Sequence, residues 1–178
     1  MSSATLIRLG GLAAILTGAL RMVASFLPAS KPPSTTMELF YLLIDVLLLF
    51  GILGIYGYQH ERVGVVGFLG FLSALIGTAM ITGPDGVLGG VDEYVIGSLM
   101  ISFGLTLLAI GSWKSGRLPR YVSVLWILST IIGVGGFLAG GVVITFVIAG
   151  VMFGLAFVLA GVQIWGDPVW KISQVSPD

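Results

Sequence analysis

The sequence predicts an all-α membrane protein: six transmembrane helices in three consecutive helical hairpins, with both termini cytoplasmic. Three observations lead there. Six apolar stretches fill the 178 residues, each close to the roughly 20 helical residues that cross a bilayer core about 30 Å thick. The composition is 57% hydrophobic and only 9% charged, with a mean hydropathy of +1.10, where soluble domains carry about a quarter charged residues. The basic residues also fall unevenly between the two sides that these stretches define.

Taken in order, the spans are expected at about 5–27, 38–57, 64–83, 95–113, 119–138 and 142–165, one domain over 1–178. The first has the basic Arg8 ahead of an apolar run from Leu9 to Leu20, as a signal peptide would. Arg21 then follows before the small residues Ala24 and Ser25, so a retained helix is expected instead. Pro28, Pro32 and Pro33 end it. The second and third are joined by the polar cap His60-Glu61-Arg62, and Gly83-Pro84-Asp85-Gly86 closes the third. A Gly-rich, acidic connector leads to the fourth. Pro119 precedes the fifth, and Gly140-Gly141 marks a tight turn into the sixth. Arg8, Arg62, Lys114, Arg117, Arg120 and Lys171 then share the side of both termini, against Lys31 and Arg21 on or toward the other. Basic residues near span ends stay cytoplasmic, which gives the orientation.

Internal similarity supports the hairpin count. Leu12 to Gly18 parallels Phe71 to Gly77 and Ile127 to Gly133, and Gly57, Gly111 and Gly161 match near the ends of the even spans. Repeats of two spans keep one orientation, so they would relate by an axis along the membrane normal. Glycines suggest how helices meet. Gly97, Gly104 and Gly111 lie one heptad apart, and Gly11 with Gly18, Gly70 with Gly77, and Gly154 with Gly161 repeat that spacing. Gly136 with Gly140, and Gly150 with Gly154, are Gly-x-x-x-Gly pairs that let backbones approach. All are expected to pack the chain's own bundle.

Only Arg21 and Asp45 lie well inside the expected spans. By rise per residue, both sit about 10 Å from the same end of the first hairpin. An intramembrane charge costs roughly 2.5–3.5 kcal/mol and usually finds a partner, so a structural ion pair is expected. The alternative is that Asp45 carries a proton or cation. Lys114, Arg117 and Arg120 form a basic connector, read as a cytoplasmic anchor with Trp113 at the interface.

Chemistry is limited by what is missing. There is no cysteine and one histidine, His60, so thiolate chemistry and most metal sites lose their ligands, and no metal or cofactor is expected. His60 and Asp45 belong to opposite halves of the bilayer, and no phosphate-binding loop or His-Glu-x-x-His motif occurs. The chain is therefore not expected to be an enzyme, and its zero net charge gives no field to recruit nucleic acid. Partners are the lipid bilayer, with other membrane proteins or further copies of the chain as candidates.

Gly111-Ser112-Trp113-Lys114-Ser115-Gly116-Arg117-Leu118-Pro119-Arg120-Tyr121, followed by an apolar run, resembles a recurring element of small multi-span bacterial membrane proteins. So does Arg8-Leu9-Gly10-Gly11-Leu12-Ala13-Ala14-Ile15. The resemblance implies a bacterial cytoplasmic (inner) membrane and no particular activity. The function expected is a non-catalytic accessory or scaffold subunit that packs against other membrane proteins; the alternatives are a small proton- or cation-linked transporter or channel using Asp45, and a binder of a lipid-soluble ligand.

Overall fold

In the computed structural model, which describes residues 3–27, 34–82 and 86–167, each apolar run forms one helix. They are α1 (Ser3–Ala24), α2 (Thr35–Gln59), α3 (Gly64–Ile81), α4 (Glu93–Ser115), α5 (Arg120–Leu138) and α6 (Val143–Gly166). All six are long and apolar enough to cross a membrane. The breakers Pro28, Pro32, Pro33, Gly83 and Pro84, together with Lys31, Asp85, Trp170 and Lys171, lie outside the described residues.

The helix ends differ from expectation for identifiable reasons. α1 stops at Ala24 because the next residues tighten into short-range bonds, Phe26 N–H to Val23 O and Leu27 N–H to Ala24 O. α2 starts three residues early, because the Ser34 hydroxyl oxygen accepts from the Met37 amide and caps it. Asp92 does the same for α4, accepting from Tyr94 N at 2.8 Å. That helix ends at Gly116, whose φ of 68° is left-handed.

Between α3 and α4 lies a small antiparallel ribbon, β1 (Val87–Leu88) and β2 (Val91–Asp92). The sequence reading left this stretch as a connector. Its signal was Gly89-Gly90 between apolar residues: both glycines take positive φ, 60° and 86°, as a two-residue hairpin turn demands.

The helices form a ring in chain order, and α6 closes it against α1. The most extensive packing is α3 on α4, then α1 on α6 and α1 on α2. Glycine explains each of these contacts. A Cβ at Gly70 would meet Gly104 O, and one at Gly77 would meet Gly97 O. Gly11 and Gly18 stand against the Gly161 and Gly154 carbonyls of α6, while Gly10 faces Gly54 of α2. So the aligned glycines Gly11 and Gly70 do different jobs, one packing on the far end of the chain and the other on the next helix. Gly111 packs on Gly67, Gly136 on the Thr145 side chain, and Gly150 on Ser25. Gly140 is a correction to the packing expectation. It turns at φ 91° after α5, with open space where a Cβ would stand, so its role is the turn alone.

Hydroxyls tie the helices together. Thr17 donates to Ile44 O (3.0 Å), Ser73 to Met100 O (3.0 Å) and Ser129 to Ala149 O (2.8 Å), each across to the following helix. The aligned serines Ser73 and Ser129 thus repeat one contact. Trp126 and Phe157, both fully buried, meet edge to face at 5.4 Å between α5 and α6.

Candidate functional site

A cavity of about 350 Å³ opens at the end of the ring where α2, α4 and α6 begin, and side chains from all six helices line it. Near its mouth stand Arg21, in the last turn of α1, and Tyr94, at the start of α4. Asp45, Ser102, Ser129 and Phe153 each sit nine or ten residues from that end of their helices, which places them about 14–15 Å deeper. Phe137, Phe146, Leu48 and Ile44 supply apolar wall.

Arg21 and Asp45 do share this site, with a geometry the sequence did not give. The Tyr94 hydroxyl faces the guanidinium, and Asp45 and Tyr41 are within electrostatic range. Among the described residues, the one salt bridge joins Arg117 to Glu61 at 3.6 Å, so Arg21 and Asp45 belong to a common cavity and are not in contact. The cause is the shift in helix ends. With α1 stopping at Ala24 and α2 starting at Thr35, Arg21 is three residues from its helix end and Asp45 ten from its own. The carboxylate of Asp45 takes part in no hydrogen bond or salt bridge among the described residues.

The hydroxyls deeper in the cavity have committed their protons. Ser102 donates to Ser98 O (2.8 Å) and Ser129 to Ala149 O. Thr130 donates to Ser102 O (3.0 Å), and Thr106 stands 3.0 Å from Thr130 Oγ1. What Ser102 and Ser129 offer the cavity is therefore oxygen lone pairs.

The sequence reading missed Tyr94, Ser98 and Ser102 as a site. Their signal was a polar stripe at intervals of four on α4, continued by Thr106, which puts all four on one helix face.

The opposite end of the bundle is closed. Gln59, buried at the end of α2, donates to Ser112 Oγ (2.7 Å) and accepts from Ser115 (3.2 Å), both on α4. Arg117 donates to Tyr58 O (3.1 Å), and the Tyr58 hydroxyl donates to Asp167 beyond α6. Of the three basic connector residues, Arg117 is thus a tie to α2, and Arg120 lies over the Trp113 ring at 5.9 Å. Lys114 is exposed in the last turn of α4.

No family model, curated protein or solved structure matches the chain.

Proposed function

We propose that this chain is a non-catalytic, multi-pass protein of a bacterial cytoplasmic membrane whose bundle binds a small amphiphilic molecule. The observation that carries the reading is the cavity: six helices contribute to it, its walls are apolar and aromatic, and Arg21, Asp45 and Tyr94 converge on it. Mostly apolar concavities with a few placed polar groups are what small-molecule sites look like, and 300–1,000 Å³ is their usual size. The test is extraction of the protein in mild detergent, then mass spectrometry of the small molecules that travel with it. A bound molecule at near one per chain is expected in the native protein and absent from Ser98→Phe, which fills the cavity. A folded native protein that carries nothing, and whose unfolding temperature does not respond to amphiphiles, would end the reading.

The carboxylate of Asp45, about halfway through the bundle and without a hydrogen bond or salt bridge among the described residues, favours a second reading, in which the bound species is carried across as a proton- or cation-linked substrate. Flux into proteoliposomes that survives Asp45→Asn would dismiss it. The scaffold reading has less support, since the glycine stripes that could dock a partner helix are used within the chain.

The basic residues support both termini on the cytoplasmic side, with the cavity opening outward and the chain disposed as three hairpins. A reporter fused at Asp178 is expected to be active only as a cytoplasmic one.

A further inference from the structure

Resting on the ligand-binding reading, the geometry points to a narrower substrate class. We infer that the cavity takes a small zwitterion with an apolar body, its ammonium group held inward on Asp45 and its acidic group outward on Arg21 and Tyr94. The deeper polar groups only accept. Among the described residues the Asp45 carboxylate accepts no hydrogen bond and makes no salt bridge, and the Ser102 and Ser129 protons are already donated to Ser98 O and Ala149 O. A ligand end that satisfies them must bring N–H donors, and an ammonium brings three. The mouth is the reverse. A guanidinium has donors and no acceptor, and Arg21 has the Tyr94 hydroxyl beside it, which suits a carboxylate or phosphate.

Charge balance excludes the simpler amphiphiles. Arg21 and Asp45 sum to zero, so a ligand with a net charge would leave that charge uncompensated within apolar walls, at a large desolvation cost. A neutral alcohol avoids the cost but gives up the charge-assisted bonds at both ends. A zwitterion keeps neutrality and satisfies both. Depth agrees, because Asp45 lies about seven residues, or ~10 Å along the helix axis, below the level of Arg21. The two charged groups are still within electrostatic range of each other, a gap that a compact zwitterion spans. Phe137, Phe146 and Phe153 line the space for its apolar part. At about 350 Å³ the cavity holds a molecule of amino-acid size, or the head and first carbons of an aminophospholipid.

The experiment compares matched probes on the wild-type protein in nanodiscs by calorimetry: L-phenylalanine, phenethylamine, hydrocinnamate and 3-phenylpropanol share one aromatic body and differ in charge. Dihexanoyl-phosphatidylethanolamine is the lipid arm. Phenylalanine or the short lipid is expected to bind at least about tenfold tighter than each single-charge or neutral probe, the ratio that one charge-assisted contact supplies. Which of the two binds tells a free amino acid from a lipid headgroup. Asp45→Asn should remove the advantage over hydrocinnamate, and Arg21→Gln the advantage over phenethylamine. Phenylpropanol binding as tightly as phenylalanine overturns the zwitterion while leaving a ligand site standing. No binding by any probe, with a bound molecule still recovered on extraction, overturns it in the same way. No binding and nothing recovered removes both readings.

Discussion

A methyl group is enough to test the glycine seams. A Cβ at Gly104 would run into the Ala74 amide nitrogen and the Gly70 carbonyl, backbone atoms that cannot swing aside. Gly104→Ala is therefore expected to cost about 1–3 kcal/mol, as overpacking does, seen as a lower unfolding temperature in detergent. Gly135, one helix over, has open space in the same direction, and Gly135→Ala should be within about 0.5 kcal/mol of neutral. Equal effects at the two sites would mean that α3 and α4 are not in backbone contact. At the cavity, Tyr94→Phe removes the hydroxyl beside Arg21 without changing the fold, and should weaken an acidic probe far more than a neutral one. Arg21 and Asp45 were legible from sequence as the two charges inside apolar runs. Ser98 and Ser102 were not, because a membrane-spanning serine commonly bonds its own helix, as Ser102 does here, and only the ring arrangement reveals that this face is hollow.

Helix ends carry the next level of argument. The buried amide of Gln59 links α2 to two serines of α4, whereas the salt bridge between Arg117 and Glu61 is largely exposed. Gln59→Leu leaves no orphan, since Ser112 keeps Leu108 O and Ser115 keeps Ser112 O. It should still cost about 1–2 kcal/mol for two lost bonds, by chemical or thermal unfolding. Glu61→Gln should change stability by little or nothing, as exposed pairs usually do. The reverse order would move the closure of this end from the amide to the ion pair. Element existence was readable because each run was long and uninterrupted. Element ends were not: caps at Ser34 and Asp92 depend on single hydroxyl or carboxylate oxygens, and hydropathy averages them away. The Gly89-Gly90 turn was readable from its residues, two glycines between the apolar Val87-Leu88 and Val91, in a connector otherwise rich in glycine and acidic residues.

At the scale of the bundle, the telling contact joins α1 to α6. Gly11 is close enough to Ile164 that the Cβ positions would lie 3.0 Å apart, about 0.5 Å closer than the usual range of Cβ separations in a disulfide, and Arg8 lies over the Trp165 ring at 4.9 Å. In a chain without cysteine, Gly11→Cys with Ile164→Cys should form an intramolecular cross-link on oxidation, migrating faster without reductant. No cross-link under conditions that oxidise exposed cysteine pairs would open the ring. Sequence repeats pointed to three equivalent hairpins. They could not show that Gly11 and Gly18 would turn to α6 while Gly70 and Gly77 turn to α4, because spacing identifies a sticky stripe and not its mate. This closure also sets a timetable. Gly18 leaves the ribosome long before Gly154, and at 5–20 residues per second the wait is on the order of ten seconds. During that interval α1 lies in the bilayer with one backbone seam covered by α2 and the other facing lipid. The arrival of α6 completes both the packing of α1 and the cavity, so a chain stalled before α6 would be inserted but hollow on one side.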